Sequence, residues 1–573
     1  MTTASVFSSR PWLSSYAPDV PSDIVLPTQS LVDMIDGAVR RHKASVALEF
    51  FGETTSYGEM GDQIARAANG LRKLGVRSGD RVALVLPNCP QHIVAFYAVL
   101  RLGAVVVEHN PLYTPSELRH QFEDHGATVA IVWDKVHDTV VDFPADMGVE
   151  HVIAVDLTRA MPFLKRLALR LPVRKAREAR TALTAEPRAK NALRWEDLLE
   201  TRRLKKSHPR PTPNDTAVLQ YTSGTTGSPK GAILSHSNLY ANALQGRAWV
   251  PGMRPGHEVF YAVLPMFHAY GLTLCLTFAM SMGARLVLFP KFDESLVLDA
   301  VRTSPPTFLP AVPPIYQRLA KAADERKVSL GSIRFAISGA MNLPLSTVEK
   351  WEKSTGGQLV EGYGMTESSP VAAGNPFSSA RRAGTVGVPF PSTEIRVVDP
   401  DNPHIDRGFN EEGELLLRGP QVFGGYWNRP EETLAVLLPA PDGQQPWLRS
   451  GDIVSVSPDG FITIVDRVKE LIITGGFNVA PSEVEEALLA HASVADAAVV
   501  GLPAPGGGET VTAAIVLASG ASLDVEALRE HCRSRLSAYK VPRQIVAVDE
   551  LPRSLIGKVL RRQVRQQLSS IER

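Results

Sequence analysis

The chain has 573 residues, 44% of them hydrophobic and 21% charged, with a formal net charge of +1. That length exceeds what one hydrophobic core can hold, so several domains or subdomains are expected, each of ordinary soluble composition. The balanced charge excludes a dedicated nucleic-acid binder, which carries a strong basic excess. Cys89, Cys275 and Cys532 are the three cysteines. They lie far apart, give neither zinc spacing nor a disulfide framework, and suit a reducing cytoplasm. Arg10 has no apolar run of signal-peptide length behind it.

In chain order, residues 52–74 read as a short strand and then an amphipathic helix with Ile64, Ala67 and Leu71 at helical spacing. An apolar strand over 81–86 follows, then a helix over 91–102, a strand over 104–107 and another over 127–133. Strands alternating with helices predict parallel α/β layers. Residues 159–190 break the pattern. Ten positive side chains face two negative ones there, a local excess of eight charges, and the first half is interleaved with Met161, Phe163, Leu164, Leu167, Leu169 and Leu171. Two readings stay open: contact with an anionic membrane surface, or a solvated surface insertion.

Two apolar runs, 217–219 and 232–234, flank a loop of glycines and hydroxyls that closes on Lys230 and Gly231. Glycine lets backbone N–H groups turn inward, and the hydroxyls and lysine add donors and positive charge, which predicts a polyphosphate cradle between two strands. It is not the common P-loop, because the lysine stands three residues after Gly227. The most apolar stretch, 271–282, is about a dozen residues, against the roughly 20 a membrane-spanning helix needs, and reads as a buried helix.

Strands at 335–337 and 358–360 each open into small or glycine-rich residues, as the ligand crevice of an α/β sheet does. In the second, Tyr363 between Gly362 and Gly364 suits stacking on a flat base. Thr366 offers a hydroxyl to phosphate and Glu367 an oxygen to magnesium; the same residues also fit a helix start capped by Thr366. Asp452 reads as a carboxylate at a turn before a strand, suited to ribose hydroxyls or simply to a hairpin turn. Beyond 466–469 a compact α+β unit of about a hundred residues is expected, with Ser482 and Glu485 as a capping box. Lys558 follows Gly557 in one of its loops.

Taken in order, the motifs at 221–231, 361–367, 447–452, 466–469, 474–483 and 552–558 resemble the adenylate-forming superfamily of acyl-CoA synthetases, luciferases and peptide-synthetase adenylation domains. The resemblance covers nearly the whole chain, and the run at 425–433 resembles acyl-CoA ligases more than peptide-synthetase domains; with the basic-apolar segment 159–190 and the charge-poor stretches 270–282 and 308–315, it is most like long-chain fatty acid–CoA ligases. It implies an α/β protein with a large N-terminal region of stacked α/β subdomains (1–466), a hinge (467–469) and a small mobile α+β C-terminal domain (470–573). By that resemblance Thr222, Ser223, Gly224, Thr225, Thr226, Gly227 and Lys230 hold the phosphates of ATP. Gly339, Ala340, Gly362, Tyr363 and Gly364 enclose adenine, Thr366 meets the α-phosphate, and Asp452 and Arg467 hold ribose. Thr222 and Glu367 serve Mg2+. Lys558 is the catalytic lysine of adenylation, Lys469 the hinge, and Gly475 and Gly476 line the path of the coenzyme A thiol. His268 lies near the substrate carboxylate, with Tyr270 and Gly271 in the acyl pocket. The implied reaction joins a fatty acid to CoA through an acyl-adenylate; an aromatic acid or a carrier-protein acceptor are the alternatives. The implied location is cytoplasmic, with peripheral seating at the inner membrane face if 159–190 touches lipid, and a homodimer is one oligomeric option.

Overall fold

A computed structural model describes residues 5–571 except 223–228, 441–443, 468–469, 475–476, 505–508, 537 and 555–556. Packing divides the chain into two compact units. The larger comprises Ser15–Glu394 and Arg418–Leu448; the smaller comprises Met1–Ser14, Ile395–Leu417 and Arg449–Arg573. These cuts fall at other places than 466/467, and the hinge expected at Lys469 lies outside the described residues.

The larger unit holds two sheets. Its strands are β1 (Val46–Phe50), β2 (Glu53–Ser56), β3 (Arg81–Val85), β4 (Val105–Glu108), β5 (Val129–Trp133), β6 (His151–Val155), β7 (Thr216–Thr222), β8 (Lys230–Ser235), β9 (Val259–Ala262), β10 (Arg285–Leu288), β11 (Phe308–Ala311), β12 (Phe335–Ser338), β13 (Gln358–Gly364), β14 (Val371–Gly374) and β15 (Val388–Pro389). Six form a sheet in the order β6-β5-β3-β4-β7-β8, parallel except for β8. Nine form a second sheet in the order β15-β14-β13-β12-β11-β9-β10-β1-β2, antiparallel only at its two ends. The expected α/β class is what these strands build. β3, β4 and β5 are apolar and buried almost throughout, as parallel strands covered on both faces must be.

The helices follow from the same sequence signals. Helix Tyr57–Lys73 starts where Ser56 and Glu59 exchange side-chain and backbone hydrogen bonds, and it buries Met60, Ile64, Ala67 and Leu71. Helix Pro90–Arg101 is buried on every side, which explains its nearly unbroken apolar sequence. The stretch 269–282 is helical, with a π-helical segment Leu272–Thr277 in its middle, and is buried at nearly every position. Phe278 packs edge-on to Phe260 and Phe308 at ring distances of 5.1 and 5.6 Å. Among the described residues no helix is long and apolar enough to cross a membrane.

Within 159–190 the chain forms two short helices, Phe163–Ala168 and Arg174–Leu183, neither with a buried residue. Phe163, Leu164, Leu167, Leu171 and Val173 are all more than half exposed.

In the smaller unit, strand Val494–Pro503 pairs antiparallel with Glu509–Leu517, which pairs parallel with Gln544–Ala547. Helices Pro481–Leu489 and Val525–Arg533 cover one face around Val484, Leu488, Val499, Ile515 and Leu528. The capping box expected from Ser482 and Glu485 does not form. Pro481 occupies the first helical position and Ala480 the cap, because proline loses nothing where the N–H has no helical partner. Ser482 therefore falls inside the first turn, where its N–H and hydroxyl bond Asp466 at 2.9 Å. Glu485 is drawn instead to the Val499 N–H and to Arg561.

Replacing Phe278 with alanine empties a core site, at a cost of about 3–5 kcal/mol. Thermal unfolding followed by circular dichroism should begin several degrees lower. An unchanged unfolding temperature would contradict the reading of 269–282 as core.

Candidate active site

The β7–β8 hairpin closes with Thr222 directly opposite Lys230. Residues 223–228 between them, with the expected phosphate ligands Ser223, Gly224, Thr225, Thr226 and Gly227, lie outside the described residues. β8 is flanked by a second stretch of chain. The Gly424 N–H donates to the Ile233 carbonyl at 3.1 Å, the Ile233 N–H to Gly425 at 2.9 Å, and the Trp427 N–H to Gly231 at 2.8 Å. Residues 423–427 thus lie as an irregular strap along β8. The strap carries Tyr426, whose phenol donates to Glu367 Oε1 at 2.6 Å, and the Lys230 ammonium stands 5.2 Å from the centre of its ring. The Phe423 N–H also donates to the Glu367 carbonyl at 2.9 Å. Lys230 and Glu367, expected around the phosphates and metal, therefore meet at one tyrosine, and Thr222 stands opposite Lys230 in the hairpin register.

The donor set suits the expected metal. A threonine hydroxyl and a carboxylate are hard oxygen ligands, and magnesium takes one or two carboxylates while keeping waters and substrate phosphates rather than an all-protein cage. Burial and the Glu367 charge both push the Tyr426 hydroxyl pKa far up, so it remains a donor at any working pH.

The parallel strands β11, β12 and β13 end beside one another. At these ends stand Gly339, Ala340, Gly362, Tyr363 and Gly364, the expected adenine enclosure. Gly339 faces the Tyr270 ring, where an added Cβ would come within 3.1 Å of it. Tyr270 is buried and donates to the carbonyls of Ile337 (2.8 Å) and Ala311 (3.1 Å). The expected acyl-pocket and adenine residues thus share one wall. Gly364 pairs with Val371, and a Cβ there would lie 1.9 Å from the Pro370 carbonyl oxygen, so no larger residue fits this crossing. Thr366 begins a 3-10 turn, Thr366–Ser368, rather than capping a longer helix.

Glu361 sits at the mouth of the same crevice, opposite Ser338. Burial raises its carboxyl to about 8, partly offset by a hydrogen bond from the Leu343 N–H. The shift favours its neutral form near pH 7 and so lessens the charge that would repel a nucleotide.

His268 caps the helical turn Ala269–Gly271, its Nδ1 accepting from the Tyr270 N–H at 3.2 Å. The approach to it is fixed by two residues that the sequence reading passed over. Asn88 donates to the carbonyls of Ala262 and Leu264 and accepts from the Met266 N–H at 2.7–2.9 Å. Gln220 donates to the Phe267 carbonyl at 2.6 Å. Each is a polar residue at or just past the C-terminal end of a buried strand, a pattern visible in sequence.

In the smaller unit, Asp452 and Arg467 pair directly across two antiparallel strands. Asp452 lies within the strand Trp447–Val456 rather than ahead of one, at a local bend where Gly451 takes a φ of +71° and the Asp452 N–H donates to Ser450 Oγ at 3.1 Å. Glu414 anchors the chain at this bend by accepting from the Arg449 guanidinium and from the Gly451 N–H. Lys558 lies in a tight turn: its N–H donates to Ser554 Oγ at 3.1 Å and its carbonyl accepts from the Ser554 N–H at 2.7 Å. Lys469, Gly475 and Gly476 lie outside the described residues. Burial pushes the Cys89 and Cys275 thiols up to about 12, which leaves neither as a nucleophile at neutral pH.

The family model described as AMP-binding enzyme matches residues 35–427, and that of the AMP-binding enzyme C-terminal domain matches 483–558. A long-chain-fatty-acid–CoA ligase of Bacillus subtilis (strain 168) is 37% identical over 97% of this chain and 98% of its own length. A feruloyl-CoA synthase of Amycolatopsis is 34% identical over 92% of this chain and 97% of its own. The crystal structure of ATP-bound MatB from Rhodopseudomonas palustris superposes with a TM-score of 0.81 at 28% identity, covering 95% of this chain and all of that one. With both family domains matched in order, the chain belongs to the AMP-binding enzymes.

Proposed function

We propose that the protein is an ATP-dependent acid–thiol ligase that converts a fatty acid, long-chain in preference, to its CoA thioester through an acyl-adenylate. The observation that carries this reading is the meeting of Lys230 and Glu367 at Tyr426, with Thr222 opposite Lys230 in the hairpin and Glu367 just past the end of β13. Near-full-length similarity to long-chain fatty acid–CoA ligases supports it. In the first step a carboxylate oxygen of the acid bonds to the α-phosphorus of ATP, and the bond to the β-phosphate breaks, releasing pyrophosphate. In the second, the CoA sulfur bonds to the acyl carbon and AMP departs, the thiol proton passing to solvent.

Catalysis of the first step amounts to aligning two anions that repel each other and placing cations where charge accumulates. A magnesium ion held by Thr222 and Glu367 would supply charge neutralisation at the phosphates. Lys230 binds the phosphates, Thr366 donates its hydroxyl to the α-phosphate, and Tyr363 lies against adenine with Gly339, Ala340, Gly362 and Gly364. Asp452 and Arg467 take the ribose. His268 orients the acid, whose chain runs past Tyr270 and Gly271. Lys558 neutralises the developing charge in adenylation alone, while Lys469 is the hinge and Gly475 and Gly476 admit the pantetheine arm. An aromatic acid is the second reading, favoured by the similarity to the feruloyl-CoA synthase.

We further infer a cytoplasmic enzyme seated peripherally at the membrane through 159–190. The exposed apolar side chains there are interleaved with basic ones, and each lysine or arginine near an anionic surface contributes about 1 kcal/mol.

Pyrophosphate release, measured with acids graded from four to eighteen carbons and with ferulate, tests the activity. Release with long-chain acids, and thioester only when CoA is present, is the expected result. Preference for ferulate would favour the second reading, and no release with any acid would refute both. Lys558→Ala should slow adenylation by about 10²–10³ yet leave conversion of added acyl-adenylate to thioester intact; equal loss in both steps would contradict its assigned role. In flotation assays the protein should rise with phosphatidylglycerol vesicles and not with phosphatidylcholine. A triple change of Phe163, Leu164 and Leu167 to serine should abolish this, and undiminished flotation would place lipid contact elsewhere.

A further inference from the structure

We infer that Tyr426 is a positioning residue for the divalent metal that accompanies ATP, acting through Glu367; this rests on the reading of Glu367 as a metal ligand. Three observations lead there. The Tyr426 phenol lies 2.6 Å from Glu367 Oε1, a short, charge-assisted hydrogen bond. Glu367 itself is only 7% exposed, so a carboxylate is kept out of water and fixed by a donor that cannot move away. The tyrosine, in turn, is fixed on all sides. Its backbone bridges to Ala232 of β8, its N–H donates to Thr433 Oγ1 at 2.9 Å, and its ring packs edge-on to Phe423 at 4.9 Å.

The chemistry of the contact favours one kind of ion. A phenol bonded to one carboxylate oxygen disfavours bidentate grip on a cation, the mode calcium often takes. It favours single-oxygen ligation with strict octahedral geometry, which magnesium and manganese accept. The cation over the ring face adds a second link. Lys230 stands above the tyrosine that orients Glu367, so the phosphate-facing positive charge and the metal-facing negative charge are held at opposite parts of a single side chain.

Partners that orient a metal-binding carboxylate typically contribute 10–100-fold in metal affinity. The test uses the full chain with α,β-methylene-ATP and titrates Mn2+ by electron paramagnetic resonance, with Ca2+ as competitor. Tyr426→Phe keeps the ring and removes the hydroxyl. It should weaken Mn2+ binding by about 10–100-fold and narrow the discrimination against Ca2+, while affinity for the nucleotide without metal stays as in the parent. Glu367→Gln serves as the reference and should lose Mn2+ binding more severely. Unchanged Mn2+ affinity in Tyr426→Phe alone overturns the positioning role. Unchanged affinity in Glu367→Gln as well overturns the assignment of Glu367, and the inference with it. An equal loss of metal-free nucleotide binding in Tyr426→Phe would also overturn it, because that is the signature of a merely structural tyrosine.

Discussion

The backbone pairing of residues 423–427 with β8 is the constraint on which the nucleotide-facing half of the site depends. Three main-chain hydrogen bonds set the register, and register decides where a single side chain, Tyr426, must point. A carboxylate and an ammonium meet that side chain at its hydroxyl and its ring face. An isolated buried charge is expensive unless hydrogen-bonded, so an acid site must satisfy Glu367 before any ligand arrives without satisfying it so fully that no ligand is needed. The Tyr426 phenol serves this balance, because it donates one hydrogen bond to Glu367 and carries no charge of its own.

Around this constraint the remaining charges are arranged to let anions approach. Burial favours the neutral form of Glu361, which pairs with Ser338 at the end of β12, and the two cysteines of the larger unit are kept as thiols. The reaction therefore runs without a covalent enzyme intermediate through these groups, and the fold contributes orientation and electrostatics. That matches an activity in which ATP, rather than the protein, carries the reactive bond.

Much of the architecture was legible in the sequence because it is written in local periodicity. The strands around 81–85, 105–108 and 129–133 and the helices between them are continuous apolar runs or clear amphipathic patterns, and the two apolar strands expected on either side of residues 223–228 form. Ser482 and Glu485 were misread because their spacing fits a capping box, whereas the start of the helix is decided by Pro481 and the serine by Asp466, sixteen residues upstream. Asp452 looked like a turn residue because it follows a glycine; Gly451 does bend the chain, with a φ of +71°, but the bend lies inside a strand and is anchored by a glutamate from a neighbouring segment. Tyr426 could not be found at all from spacing. Its partner Glu367 is fifty-nine residues away, and only the tertiary pairing with β8 brings the two together. Residues whose role is to hold another residue leave little trace in a single sequence, while those with their own chemistry, such as Lys230 and Glu367, stand out.

The most direct measurement is a crystal structure with magnesium and α,β-methylene-ATP. It should show the phosphates against Thr222 and Lys230, and the ion about 2.0–2.1 Å from a Glu367 oxygen, with the Tyr426 hydroxyl still bonded to that carboxylate. Phosphates bound elsewhere, or a metal with no bond to Glu367, would contradict the account.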